Sequence, residues 1–172
     1  NLVMQIAEIQ GNVILCLNLM DEAKKKNIDI DLQILQQELG IPVVGTAARS
    51  KKGLKQLMGQ VKSNLETGKN TPMDIFYGEQ LEQIVAEEKE TLEAFLEGKL
   101  DARWTGLKLA EGDEKLLEAI KENLQLTIEQ QDNLEASRKR IEQRLNNLGI
   151  SQEQVRENII RIVYRKAGLI CQ

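Results

Sequence analysis

Up to Thr71 the apolar positions switch between a helical period and short unbroken runs. Leu2, Val3, Ile6 and Ile9 recur at the three- and four-residue steps of a helix, which Gly11 stops. Residues 13–17 form a short, continuously apolar run, β-branched at its start, the pattern of a strand buried on both faces. Residues 41–44 form a second such run, and Pro42 near its start is tolerated there. Between the runs lie a polar helical turn after residues 18–21 and a helix capped by Asp31. That helix carries Leu32, Leu35 and Leu39 and ends at Gly40. After Gly53, Leu54, Leu57, Met58, Val61 and Leu65 mark another amphipathic helix. The order helix–strand–helix–strand–helix predicts the closing part of a doubly wound α/β fold.

Residues 68–74, containing Thr71-Pro72, read as a boundary, which places one domain over 1–71 and another over 72–172. The second is helical throughout. Leu81, Ile84, Val85, Leu92, Phe95 and Leu96 share one face that ends at Gly98, and Gly106 and Gly112 read as a break. Asp113 is placed to cap a helix bearing Leu116, Leu117, Ile120 and Leu124. Leu134, Ile141, Leu145 and Leu148 continue an apolar stripe up to Gly149. Ser151 and Gln154 then form a capping box for a last helix with Val155, Ile159, Ile162 and Val163 inward. Two parallel strands alone leave faces and edges uncovered, so the pattern predicts a piece of a longer chain.

Composition narrows the chemistry. With 172 residues, 41% of them hydrophobic and spread along the whole length, the chain can build real cores. The absence of histidine excludes Ser-His-Asp and Cys-His catalysis and histidine-ligated zinc. Cys16 and Cys171 lie far apart and suggest a reducing compartment, with Cys16 expected as a small buried hydrophobe. No run approaches the length of a membrane-spanning helix. Up to Thr71 there are 9 basic and 7 acidic residues, a balance of +2; from Pro72 on, 14 against 20 give −6, and together they make the net −4. The acidic second half argues against a nucleic-acid partner. Lys24, Lys25 and Lys26 read as the solvated end of a helix rather than a phosphate contact.

The most informative site is the end of the first strand, Leu17-Asn18-Leu19-Met20-Asp21. Asn18 and Asp21 form the N-x-x-D arrangement of guanine-nucleotide-binding proteins. A carboxylate is acceptor-only and takes two hydrogen bonds from the N1–H and exocyclic amine of guanine, a donor pair that adenine lacks. The same tetrapeptide also serves as a plain turn, since Asn and Asp are turn formers. One helix further on, the second strand runs into Gly45-Thr46-Ala47-Ala48, a small-residue loop whose backbone N–H can meet the guanine carbonyl. Both loops fall at carboxyl ends of strands, where open α/β sheets bind ligands. Asn18, Asp21, Thr46, Ala47 and Ala48 are therefore the candidate guanine contacts.

The stretches "LNLMDEAKKK", "IDIDLQILQQELGIPVVGTAAR" and "KKGL" resemble the ferrous iron transport protein B (FeoB) family. "ARWTGLKLAEGDEKLLE" at residues 102–118 resembles that family's helical-domain signature, and "VYRKAGLICQ" its stretch before the membrane segment. The resemblance implies an α/β remnant of a P-loop GTPase domain over 1–71, two parallel strands with helices, followed by an all-α helical domain over 72–172. It further implies GTP/GDP as ligand, and as partners the rest of the G domain and a membrane domain at the cytoplasmic face of the bacterial inner membrane. The implied function is GTP-dependent ferrous iron uptake, with the helical domain favouring the GDP state and relaying it to the membrane part. Nothing matches G-x-x-x-x-G-K-[ST], so the phosphate loop and its Mg²⁺-binding hydroxyl are absent from this sequence. The chain then begins in the helix before the fifth G-domain strand, hydrolyses no GTP itself, holds no metal, and exposes a strand edge prone to self-association. Ala47 stands where many GTPases carry Ser, which leaves only its backbone to contribute. Trp104 reads as a core anchor and Gly112-Asp113 as a turn and cap. Two other readings remain: a helical extension of a different P-loop GTPase, and a plain helical interaction module with an accidental N-x-x-D.

Overall fold

The computed structural model describes residues 2–9, 12–67 and 73–170. Gly11, Cys171 and residues 68–72 of the expected boundary lie outside them. The chain divides into two compact units, Asn1–Asp74 with Ala167–Gln172, and Ile75–Lys166.

In the first unit, α1 (Leu2–Ile9) precedes β1 (Leu15–Leu17), α2 (Met20–Lys25), α3 (Leu32–Leu39), β2 (Val43–Gly45), a 3-10 turn at Ala48–Ser50 and α4 (Leu54–Thr67). β1 and β2 pair in parallel, with Leu15 opposite Val43 and Leu17 opposite Gly45, so the helical crossover between them is a β–α–β unit. Asp31 caps α3 by accepting from the N–H groups of Gln33 and Ile34 at 2.9 and 3.0 Å, and Gly40 ends it in the left-handed region. The ladder starts where Leu15 N–H donates to Pro42 O. The strands are thus shorter than the apolar runs.

Three expectations for this unit need correction. Cys16 is exposed rather than buried; side chains alternate along a strand, and β1 pairs only with β2 among the described residues. On α1 the buried side chains are Met4, Ala7 and Glu8, while Leu2 and Ile6 are exposed. Met58, Val61 and Leu65 of α4 are likewise exposed. Periodicity identifies an apolar stripe but not what covers it.

The second unit holds α5 (Glu79–Leu96), α6 (Ala102–Glu111), α7 (Glu114–Asn123), α8 (Ile128–Asn147) and most of α9 (Gln152–Ile170). The expected face of α5 is buried throughout, from Leu81 to Leu96. Asp101 caps α6 through Trp104 N–H at 2.7 Å, and Asp113 caps α7 through Leu116 N–H at 3.1 Å. Ser151 and Gln154 make the reciprocal capping box, and Thr127 and Gln130 make a second one that opens α8. Leu148 does not continue the buried stripe: α8 ends at Asn147, and Leu148 is its half-exposed cap.

Gly106 is no break. It lies inside α6, where a Cβ would stand 2.8 Å from Val85 Cγ1 on α5. The glycine lets two helices approach closely, and its helix-propensity cost of about 1 kcal/mol is accepted for that contact. Val85 is β-branched and stiff, so Gly106→Ala is expected to destabilise by about 1–2 kcal/mol despite the better propensity. Thermal melts of Gly106→Ala, Val85→Ala and the double variant check this. A favourable coupling of about 1 kcal/mol is expected in the cycle, and plain additivity would rule out the close contact as the cause.

The helical-domain signature proves structural. Trp104 is buried. Arg103 donates to Glu82 at 2.6 and 3.0 Å and to Ile75 O at 2.7 Å. Glu82 also accepts from Tyr77 N–H at 2.9 Å, and Asn158 Nδ2 donates to Tyr77 O at 2.8 Å. Three helices therefore pin the extended entry segment. The deepest charge is Glu88 on α5, 2% exposed, which accepts from Arg140 at 2.8–3.1 Å and from Arg144 at 2.6 Å on α8.

Candidate functional site

The parallel register brings the ends of β1 and β2 side by side and joins their loops. Thr46 N–H donates to Leu17 O at 2.8 Å, and Met20 N–H donates to Thr46 O at 3.0 Å. Asn18 Oδ1 accepts from Thr46 Oγ1 and from Ala48 N–H, both at 3.2 Å. Thr46 Oγ1 lies 3.4 Å from Cys16 Sγ. Asn18 is therefore the clamp that fixes one loop against the other. Leu19 has φ 64°, a left-handed conformation costing about 1–2 kcal/mol for a non-glycine residue. It turns the chain at once from β1 into α2 and sets Asp21 in the first helical turn.

A cleft of about 450 Å³ opens beside this junction, lined by Met20, Asp21, Lys24, Lys25, Gly45, Thr46, Ala47 and Lys52. Of the candidate residues, Asp21, Thr46 and Ala47 line it directly, whereas Asn18 and Ala48 sit at the loop junction. Among the described residues Asp21 makes no hydrogen bond or ion pair. Lysines rim the mouth, and Glu22, bonded to Lys25 at 2.9 Å, raises that lysine's pKa. Ala47 N–H donates to Lys52 O at 3.1 Å, so the amides of Thr46, Ala47 and Ala48 are all engaged within the chain.

Gly53 also shapes the site, although the sequence pattern marks it only as the residue before a helix. Its φ is +77°, and a Cβ would stand 2.2 Å from Gly45 O and 3.1 Å from Thr46 Cα. Only glycine lets the backbone return so close under the loop. Gly45 is similarly confined by Leu32 and Met20. The signal was available: three glycines and alanines cluster within nine residues after β2. Among the described residues no group of three or more His, Cys, Asp or Glu is arranged to hold a metal. No described helix is long and apolar enough to cross a membrane.

The fold and the joined strand-end loops define an open α/β unit with a ligand cleft at its carboxyl edge, together with a helical unit. Comparison with known proteins makes this specific. Residues 1–61 match the family model "Ferrous iron transport protein B", and residues 77–172 match "FeoB cytosolic helical domain". The chain belongs to the FeoB family. It is 35% identical over 120 residues to an Fe(2+) transport protein A/Fe(2+) transporter FeoB fusion protein of Porphyromonas gingivalis, covering 67% of this chain and 14% of that one. It is 34% identical over 84 residues to an Fe(2+) transporter FeoB of Staphylococcus aureus, covering 49% and 12%. The chain thus spans only 12–14% of the length of these relatives. Among solved structures, the cytosolic domain of the T. maritima FeoB iron transporter in its GMPPNP form aligns with TM-score 0.57 and 28% identity, over 85% of this chain and 60% of that one. The mGMPPNP-bound NFeoB of S. thermophilus aligns with TM-score 0.69 and 23% identity, over 99% and 60%, a likeness of fold.

Proposed function

We propose that residues 1–71 are the guanine-recognition end of a GTPase domain and that residues 72–172 are its helical regulatory domain. The protein they belong to would couple GTP to ferrous iron uptake across the bacterial inner membrane. The observation that carries the reading is the Asp21 carboxylate on the cleft beside Thr46 and Ala47, with Asn18 bonding the two loops together. Asp21 accepts from the two guanine donors, and adenine offers no matching pair. The guanine carbonyl takes over the Ala48 N–H, whose bond to Asn18 is long at 3.2 Å. The small side chains at 45–48 let the base approach the backbone.

Support comes from the T. maritima relative, solved in GMPPNP and GDP forms, and from relatives named Fe(2+) transporters. No segment of this sequence matches a phosphate loop, and this reading assigns no residue of the chain to the triphosphate or Mg²⁺. The chain alone is therefore expected to turn over no GTP and to bind it more weakly than about 1 μM, because base contacts must offset the ligand's immobilisation unaided. Calorimetry and phosphate-release assays check both; tighter binding or steady release contradicts the reading. In the whole protein, fluorescent GDP should be displaced by GDP and GTP but not by ADP or ATP. Equal displacement by adenine nucleotides would overturn the assignment. A regulatory helical domain adds a coupling of about 1–3 kcal/mol, felt reciprocally at both sites, so removing 72–172 should change GDP affinity.

A further inference from the structure

The helical unit carries one stretch whose charge is unlike the rest. Between Ile75 and Lys166, 14 basic residues are outnumbered by 19 acidic ones, yet α9 from Asn158 to Lys166 holds Arg161, Arg165 and Lys166 and no acidic residue. Ile160 and Tyr164, one helical turn apart, are 56% and 64% exposed. Arg161 and Arg165 are also one turn apart and exposed, immediately beside them on the helix. Phe76, 63% exposed, shares a cleft of about 440 Å³ with Arg161, Ile162 and Arg165. Large apolar side chains held in water among arginines mark an interaction surface.

We propose that this face of α9, with Phe76, docks on an anionic phospholipid surface. Arginine forks match phosphate oxygens, and Tyr and Phe rings beside them suit the depth of the headgroups. Ile160 and Tyr164 stand outside the cleft, on the open helix surface, which suits a planar layer better than a partner's inserted side chain. The chain's net charge of −4 does not prevent this, because screening limits attraction to charges within about 10 Å at moderate salt. The nearest acidic residue on the helix, Glu157, lies one turn before Arg161 and leaves the basic end clear.

The test is co-sedimentation of the full chain with vesicles of phosphatidylcholine alone and of an equal mixture with phosphatidylglycerol. Binding is expected only to the anionic vesicles and should fall as salt is raised. Arg161→Gln combined with Arg165→Gln should lower partitioning about thirty-fold, near five-fold per charge, with an unchanged circular dichroism spectrum. Lys89→Gln with Lys115→Gln alters net charge equally on other helices and should leave binding intact. Absence of wild-type binding to anionic vesicles, equal binding to neutral ones, or an equal loss in the lysine pair would overturn the proposal. Capture of a polyglutamate peptide without vesicle binding would also overturn it and assign the face to an acidic protein.

Discussion

Glu88→Gln is expected to lower the melting temperature of the helical unit by about 15 °C. The carboxylate is 2% exposed and faces two guanidinium groups. Breaking a buried pair by removing one partner costs about 3–5 kcal/mol. The lower end applies because the Arg140 and Arg144 side chains are 43% and 34% exposed and keep water on one side. About 3 kcal/mol converts to that shift at roughly 5 °C per kcal/mol for a domain of this size. Glu87, bonded to the same Arg144 but 43% exposed, is the control, and Glu87→Gln should cost under about 1 kcal/mol. Melts followed by circular dichroism separate the two, and equal shifts would deny Glu88 its special place.

The same cluster sets an acid limit. Burial is the strongest single influence on Glu88 and opposes its charge, but hydrogen bonds from Arg140, Arg144 and Ser137 together outweigh it. They hold the carboxyl below its ordinary value of 4.5. A lowered folded-state pKa stabilises fully above the unfolded-chain value of about 4.3, and that contribution is lost as pH falls through the folded value. The wild-type melting temperature should therefore drop more steeply below about pH 4 than that of Glu88→Gln.

Glu88 also shows where sequence reading stops. It sits in the acidic run Ala86-Glu87-Glu88-Lys89-Glu90 and looks solvated, yet its partners lie 52 and 56 residues away. Its spacing from Ile84, Val85 and Leu92 puts it on the buried face of α5, which was the available clue. What was legible is local. Asp31, Asp113 and the Ser151–Gln154 box announce their helices through bonds made within three residues. The two parallel strands were legible as unbroken apolar runs, but only β2 has the burial such runs suggest; β1 is half-buried, with Cys16 exposed. Gly106 is not legible because a mid-helix glycine looks the same in sequence whether it breaks a helix or admits a neighbour. The candidate loops were visible as Asn18, Asp21 and residues 46–48, but the role of Asn18 as a clamp, and of Gly53 beneath the loop, depends on backbone contacts up to 30 residues apart.

The second large effect concerns the base itself. Asp21→Asn replaces one carboxylate oxygen by an amide donor, which opposes the guanine amine and suits the extra carbonyl of xanthine. A mismatched buried pair costs about 1–3 kcal/mol, roughly five- to a hundred-fold in affinity. The Asp21 carboxylate makes no protein hydrogen bond among the described residues, so its replacement should leave the Asn18–Thr46–Ala48 junction standing. Equilibrium binding of GTP and XTP to the whole protein, wild type against Asp21→Asn, tests whether Asp21 reads the base. Weakened GTP and strengthened XTP binding are expected in the variant; wild-type GTP affinity with no gain for XTP would show that Asp21 does not read the base.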